Sequence, residues 1–372
     1  MNIYRPTIAR INIANLKFNI KQIKKIVGKN VLLMPTVKAH AYGHGIIPTA
    51  KELYRLEIDF LGVASLEEGI TLRKSNIKCP VLILGPVFKE HIKPIIKFNL
   101  RQTVFSYDVA LALDREAARF KRKAIIHVKV DTGMGRLGVL VEDALDLILK
   151  ISRLRHVVIE GLFTHFPMAE ANPQFTRHQI DIFNNLVNLA VKKGVKIPLI
   201  HAANSAGLIG YKNSHFNLVR PGLMIYGISP KNNLKFKLKP VLSLITRVMS
   251  VKNLPYGYGV SYGHTFITNK PTKIAVIPIG YGDGYFRILS NKAHVLIRGK
   301  MCKIIGNICM DQMMVDVSKV KGVKVKDEVV LIGRQKDKVI SAEYLADLAR
   351  TIPYEIVCNI GGRIPRVYTF RG

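Results

Sequence analysis

The chain has 372 residues, of which 48% are hydrophobic, so it can bury two ordinary cores or a barrel-sized core with a smaller domain beside it. No continuous apolar segment opens the sequence and no later run approaches the roughly 18 apolar residues of a membrane span, which predicts a cytoplasmic protein without a membrane partner. The net charge of +32 would attract polyanions, but the basic residues are spread along the whole chain, so we expect salt-sensitive adsorption without specific nucleic-acid binding.

The apolar run 31–37 ends at Lys38 and is followed by a turn rich in glycine. This pattern is typical of a side chain at the end of a buried strand that points into a cleft. Desolvation disfavours the ammonium form, and the neutral amine is the nucleophile that forms Schiff bases with carbonyl compounds. Lys38 is therefore a candidate nucleophile, although a single lysine at a strand end more often extends its charge into solvent.

Short apolar runs of this kind return along the first two thirds of the chain, separated by segments with helical spacing such as 144–151 and 180–190. Strand and helix that alternate eight times over about 200 residues predict a (β/α)8 barrel of the TIM type, hence an α/β fold. The eight runs are 31–37, 60–65, 81–86, 102–105, 124–130, 157–165, 199–204 and 218–225.

Such barrels build their sites at the C-terminal ends of the strands, and eight polar residues fall at or just beyond those ends. We expect them to converge on one face of the barrel. They are Lys38, Lys129, Asp131, Arg136, His165, Asn204, Ser205 and Arg220.

The segment 133–138 matches G-x-G-x-x-G, and Glu160 lies at a suitable distance for a ribose contact. A dinucleotide-binding dehydrogenase is therefore an alternative. Against it, the motif follows the fifth apolar run instead of the first, and Arg136 would be an unusual neighbour for a tight pyrophosphate turn.

Beyond about residue 234, strand-like runs separated by turn residues replace the alternation, which predicts a second, mostly antiparallel β domain. We place the barrel at 11–233 and the β domain at 234–372, with an N-terminal strand in 1–10 joining the latter. A short helix over 342–350 begins after Ser341 as its cap.

Six motifs resemble, in order, those of the bacterial alanine racemases, which are fold-type III enzymes that use pyridoxal 5′-phosphate (PLP). The similarity runs nearly from end to end, and the barrel with a C-terminal β domain that it implies agrees with the strand pattern. The motifs are 37–45, which resembles the cofactor-lysine motif, then 127–138, 201–207, 220–227, 260–263 and 310–312.

The resemblance implies that Lys38 binds PLP covalently and that Arg220 faces the pyridine nitrogen. Hydroxyl and backbone N–H groups would bind the phosphate, because a dianion needs oriented donors. The phosphate contacts implied are Tyr42, Ser205, Gly222, Leu223 and Tyr354, and the other cofactor contacts are Leu84, Arg136, His165 and Asn204. No metal is implied.

Inversion of an α-carbon needs two acid–base groups on opposite faces, and the resemblance implies that these are Lys38 and Tyr262. Tyr262 would come from the partner subunit, so that the active site exists only in a homodimer, and His165 would connect it to Arg220. Arg136 and the backbone of the partner's Met310 would bind the carboxylate of L- or D-alanine. Lys129 would be carbamylated and would orient Arg136.

The resemblance thus implies an alanine racemase that supplies D-alanine for peptidoglycan. A racemase of the same fold that acts on serine or on several amino acids is the nearest alternative. A non-catalytic PLP carrier is a second one, against which the domain that bears Tyr262 argues.

Overall fold

The computed structural model describes residues 4–230 and 236–370. Ten strands lie in the N-terminal part of the chain. They are β1 (Ile8–Asn12), β2 (Leu32–Leu33), β3 (Leu61–Val63), β4 (Val81–Ile83), β5 (Arg101–Val104), β6 (Ala124–Asp131), β7 (Val139–Leu140), β8 (Val157–Phe163), β9 (Leu199–His201) and β10 (Leu218–Val219).

Eight of these strands form a closed parallel barrel. Strands β3, β4, β5, β6, β8 and β9 pair in that order, and β10 pairs with β2. A parallel bridge from Thr36 to Gly62 joins β2 to β3, and the Arg220 amide donates to the Ala203 carbonyl at 2.9 Å to join β9 to β10. The eight predicted runs and the barrel are therefore confirmed.

The helices that follow the barrel strands bury one apolar face each. In α8 the buried residues Ile180, Phe183 and Leu186 repeat at the helical spacing, and the Asn172 side chain caps the helix by accepting from the Phe175 amide. The helical segments are α1 (Ile13–Val27), α2 (Lys38–Tyr42), α3 (Ile46–Arg55), α4 (Leu66–Lys74), α5 (Ile92–Lys97), α6 (Tyr107–Arg119), α7 (Val141–Ser152), α8 (Pro173–Lys192) and α9 (Ser205–Gly210).

The C-terminal part is built on one large sheet, as expected for a mostly antiparallel β domain. Its elements are β11 (Leu242–Arg247), β12 (Ser250–Leu254), β13 (Gly259–Val260), β14 (Phe266–Ile267), β15 (Thr272–Ile277), β16 (His294–Ile297), β17 (Lys300–Ile305), β18 (Met313–Asp316), β19 (Glu328–Gln335), β20 (Lys338–Ile340), α10 (Ala342–Ala349), α11 (Pro353–Cys358) and β21 (Arg366–Thr369). The strand order is β12-β15-β18-β17-β16-β19-β11-β1-β21, with β20 beside β19.

The N-terminal strand belongs to this sheet. Strand β1 pairs antiparallel with β11 and parallel with β21, so residues from both ends of the chain lie side by side. The expected boundary between 233 and 234 lies outside the described residues and stays a prediction. Within the described ranges, no helix combines the length and the apolar character needed to cross a bilayer.

Candidate active site

A cavity of about 390 Å³ lies at the C-terminal ends of the barrel strands. Seven of the eight residues predicted at the strand ends line it, and Asp131 lies beside it. The lining residues are Thr36, Lys38, Tyr42, Leu84, Lys129, Arg136, Phe163, His165, Asn204, Ser205, Arg220, Gly222, Ile352 and Tyr354.

Lys38 enters this cavity from the C-terminal end of the first barrel strand, just after β2. The Val37 amide donates to the Gly62 carbonyl at 2.8 Å, which fixes the backbone just before the lysine. Burial lowers the pKa of Lys38, and the positive charges of Arg136 and Arg220 act in the same direction. The side chain is therefore a better nucleophile and proton acceptor than a solvated lysine.

The segment α2 that follows Lys38 is a left-handed turn. Ala39, His40, Ala41 and Tyr42 have φ angles of 51°, 54°, 56° and 52°, a conformation that L-residues adopt at a cost of about 1–2 kcal/mol each. Gly43 ends the turn with φ 79°, where an added Cβ would lie 2.1 Å from the Val357 carbonyl oxygen. The turn places the Tyr42 ring in the cavity.

One end of the cavity gathers hydrogen-bond donors suited to a phosphate. The Gly222 amide donates to the Ser205 hydroxyl at 3.0 Å, and an added Cβ at Gly222 would lie 2.6 Å from the Tyr42 hydroxyl, so glycine permits this close approach. Burial raises the pKa of Tyr42, and that of Tyr354 to about 12, so both phenols stay protonated. The hydroxyl groups of Tyr42, Ser205 and Tyr354 so placed can donate to a dianion.

Asn204 and Leu223, two further predicted cofactor contacts, differ in whether their side chains line the cavity. Asn204 caps α9, because its side chain accepts from the Gly207 amide at 2.9 Å and donates to the Phe166 carbonyl at 3.1 Å. The Leu223 side chain is buried in the core next to Gly222 and does not line the cavity. Any contact of Leu223 with a ligand would therefore use its backbone.

Arg220 is a buried cation of the cavity. Its guanidinium donates to the carbonyls of Thr164 at 2.7 Å and Ala202 at 2.9 Å, and to His201 Nδ1 at 2.7 Å. Burial lowers the pKa of Arg220 to about 9, so it stays charged at neutral pH. A more distant contact of 3.4 Å reaches His165 Nδ1.

The bond from Arg220 to His201 is the first in a chain of hydrogen bonds. Which group donates in each bond follows from the chemistry of the side chains. Arginine can only donate, so His201 Nδ1 accepts and His201 Nε2 carries the proton. Nε2 then donates to His127 Nδ1 at 2.8 Å, and His127 Nε2 donates to the Glu160 carboxylate at 3.0 Å. Burial lowers the pKa of both histidines, which keeps them neutral. Arg220 is thus linked to a carboxylate through two oriented imidazoles.

Lys129 and Arg136 line the cavity together with Phe163, and the Lys129 Nζ atom lies 5.7 Å from the centre of the Phe163 ring. Burial, then the charges of Arg136 and Arg220, lower the pKa of Lys129 to about 8. The loop that carries Arg136 is held by the Asp131 carboxylate, which accepts from four consecutive amides, those of 133–136, at 2.7 to 3.2 Å. Asp131 therefore positions the loop. It does not line the cavity, whose charged lining residues are cations.

The same bonds weigh against a dinucleotide site. The amides of the glycine-rich segment already bind Asp131, and Glu160 pairs with Arg101 at 3.3 Å as well as with His127. Neither group is free for a pyrophosphate or a ribose. Within the described part of the chain, no three His, Cys, Asp or Glu side chains are grouped so that they could hold a metal ion.

Tyr262 and Met310 do not reach the cavity of their own chain. Both lie on the C-terminal domain, with 74% of Tyr262 and 53% of Met310 exposed. The Tyr262 carbonyl accepts from the Asn307 side chain at 2.8 Å, and the neighbouring Ser261 hydroxyl donates to the Asn307 carbonyl at 2.5 Å. Tyr262 therefore lies on the surface of its own chain, on a turn that these hydrogen bonds stabilise.

Comparisons with known proteins agree with this arrangement. The family profile "Alanine racemase, N-terminal domain" matches residues 11–230, and "Alanine racemase, C-terminal domain" matches residues 241–368. The chain belongs to the alanine racemase family.

Individual members of the alanine racemase family match over nearly their whole length. The alanine racemase of Halothermothrix orenii is 45% identical over 369 residues, which cover 98% of this chain and 97% of that protein. That of Carboxydothermus hydrogenoformans is 42% identical, with 98% and 100% covered. The structure of the Clostridium difficile alanine racemase superposes with a TM-score of 0.95 at 37% identity and covers 99% of this chain and 97% of that one.

Sequence reasoning missed several residues of this alanine racemase family member. Thr36, Phe163 and Ile352 line the cavity, and Phe163 stacks on His201 with ring centroids 4.7 Å apart. His127 and His201 each interrupt an apolar strand run, which is the signal that could have marked them as inward-facing polar groups.

Proposed function

We propose that the protein is an alanine racemase that interconverts L-alanine and D-alanine with PLP bound on Lys38. The observation that carries this proposal is the cavity in which the partly buried amine of Lys38 shares one space with a phosphate-type end and a buried arginine. Gly222 supports the fit, because a side chain there would meet the Tyr42 hydroxyl and fill the phosphate end.

Tyr42, Ser205, Gly222, Leu223 and Tyr354 would hold the phosphate of PLP, and Leu84, Asn204 and His165 would surround the rest of it. Arg220 would face the pyridine nitrogen and, as a group that only donates, would leave that nitrogen unprotonated. When bound, PLP withdraws electrons from the substrate and so acidifies its α-carbon–hydrogen bond.

Lys38 would hold or take up the α-proton on the face of the D-isomer at its Nζ atom. On the other face the phenol of Tyr262 from the partner subunit would do the same, since Tyr262 is exposed and lies outside the cavity of its own chain. His165 accepts from Arg220 through Nδ1, so its Nε2 carries the proton and can contact the phenol. The proposal therefore requires a homodimer.

Arg136 and the backbone of the partner's Met310 would bind the substrate carboxylate. We further propose that Lys129 is carbamylated: the ammonium first loses a proton to solvent, the nitrogen lone pair of the neutral amine bonds to the carbon of CO2, and a second proton is released to solvent as the carbamate forms. The side chain thereby changes from cation to anion and orients Arg136. This would remove a like-charge contact from the site.

The test is to incubate L-alanine and D-alanine separately with the protein and PLP in D2O, followed by NMR and chiral analysis. We expect α-deuterium in both samples and convergence on one mixture of isomers. Absence of both exchange and inversion in PLP-loaded dimer would refute the proposal, and a panel including serine would then test the alternative racemase. We propose that this activity takes place in the cytoplasm and supplies D-alanine for peptidoglycan.

A further inference from the structure

Glu68 joins two loops at the rim of the barrel. It lies in the first turn of α4 and is half-buried. One carboxylate oxygen accepts from the Ala39 amide at 2.7 Å, and the other accepts from the Ala64 amide at 2.8 Å. Ala39 directly follows Lys38 and Ala64 directly follows β3, so one side chain connects the C-terminal ends of two neighbouring strands.

The loop that Glu68 holds has internal hydrogen bonds, such as that from the Gly43 amide to the Ala39 carbonyl at 3.0 Å, but its backbone is strained. Four consecutive residues without a glycine, 39–42, are left-handed, and the strain of about 1–2 kcal/mol each opposes this conformation. Such a turn persists only where its surroundings determine it. Contacts from outside the turn must therefore hold the backbone that carries Lys38.

The far end of the turn is held by the C-terminal strand. Arg366 donates to the Gly43 carbonyl at 3.1 Å, and the Tyr368 hydroxyl donates to the His44 carbonyl at 3.1 Å. At the near end, the Ala39 amide is held by Glu68. Glu68 is thus the contact next to the reactive lysine.

We propose that Glu68 is a positioning residue for Lys38, whose carboxylate holds the left-handed turn so that the lysine amine reaches the cofactor and the substrate. This inference rests on the proposed racemase function. The alternative is a role in the helix alone, because any carboxylate at a helix N-terminus stabilises the helix.

Glu67 separates the two roles. It lies in the same first turn of α4, is exposed, and its side chain bonds to Ser65, with no bond to the Lys38 turn. Glu67→Gln removes the same charge from the same helix end, whereas Glu68→Gln also replaces one acceptor by an amide N–H that faces a backbone N–H. Only the second change should loosen the turn.

Two readouts test the inference. In PLP-loaded Glu68→Gln, kcat should fall about 10²-fold, with KM for alanine much less affected, because a small displacement of a reacting group has this effect. In the cofactor-free protein, hydrogen exchange of the amides in 38–45 should become about tenfold faster in Glu68→Gln, since a native hydrogen bond is lost. Glu67→Gln should match the wild type in both.

The proposal is overturned if Glu68→Gln retains wild-type kcat within about twofold, or if Glu67→Gln loses as much. If Glu68→Gln fails to fold, Glu68→Asp replaces it, because the shorter carboxylate keeps the charge but spans only one of the two loops. The same results for kcat and hydrogen exchange then support or overturn the proposal. Faster exchange together with a wild-type protein that does not racemise would instead contradict the proposed function and leave Glu68 as the anchor of the turn.

Discussion

At the scale of single residues, the cavity contains cations where carboxylates would be expected as partners. Lys38, Lys129, Arg136 and Arg220 all line it. Arg220 is linked to the Glu160 carboxylate through His201 and His127. The excess of positive charge is consistent with a site for two anions, a phosphate and a substrate carboxylate.

Lys129 gives a prediction that depends on pH. In the folded protein its pKa is about 8, against an ordinary 10.5, so above about pH 8 the neutral amine can react with CO2. As the pH falls through 8 the amine is protonated and the carbamate is lost. With 13C-labelled bicarbonate we expect a carbamate carbon signal at pH 8.5 that disappears on acidification.

The control variants are Lys129→Ala, which should lack the signal, and Lys150→Ala, which removes an exposed lysine and should keep it. A signal that survives in Lys129→Ala would contradict the assignment. In the uncarbamylated protein the folded state binds fewer protons at Lys129 than the unfolded state between about pH 8 and 10.5. This residue therefore makes the protein more stable as the pH rises through that window.

Residues at strand ends could be predicted from the sequence, whereas their partners could not. Lys38 and Arg220 each end an apolar run, and that local pattern indicates the rim of a barrel. The chain from Arg220 to Glu160 joins residues from β6, β8 and β9 to the end of β10, and no spacing within the sequence indicates which histidine meets which carboxylate. Tertiary hydrogen bonds of this kind follow only from the folded structure.

At the scale of elements, the sequence pattern predicts the barrel strands but not the left-handed turn after Lys38. All eight barrel strands form from apolar, β-rich runs, as predicted. The left-handed turn contains no glycine, and its two alanines and its tyrosine rarely adopt a positive φ angle. Contacts from α4 and β21 override the local preference, so a sequence pattern could not reveal this turn.

The close approach between this turn and the segment at Gly222 gives a second prediction. Gly222→Ala places a methyl group 2.6 Å from the Tyr42 hydroxyl and should displace it. We expect the dissociation constant for PLP to rise about tenfold or more, measured by equilibrium dialysis, because an overpacked site is destabilised by about 1–3 kcal/mol. In the control Gly362→Ala, the new methyl group meets nothing within 4 Å. Equal affinity in the two variants would contradict a phosphate site at Gly222.

At the scale of the whole molecule, the cavity and the exposed Tyr262 belong together only if two chains meet. Lys38→Ala and Tyr262→Phe should each be inactive as homodimers. In a mixed dimer, one site combines the intact Lys38 of one chain with the intact Tyr262 of the other. After subunit exchange, two inactive proteins should thus recover about a quarter of wild-type activity, because half of the dimers carry one intact site of two.

The measurement is a racemisation assay on an equimolar mixture after exchange, with the heterodimer verified by affinity tags on each chain. A site formed within one chain would give no recovery in verified heterodimer. Unmixed variants carried through the same exchange step are the control.

Strand β21, which pairs with β1, also contacts the end of the turn that follows Lys38. The contacts of Arg366 and Tyr368 with Gly43 and His44 join positions more than 300 residues apart along the chain. A nascent chain that has emerged as far as β10 contains every barrel strand, yet the segment bearing Lys38 still lacks its closing contacts. If Lys38 binds PLP as proposed, we therefore expect capture of the cofactor only after β21 has been synthesised and has reached this turn.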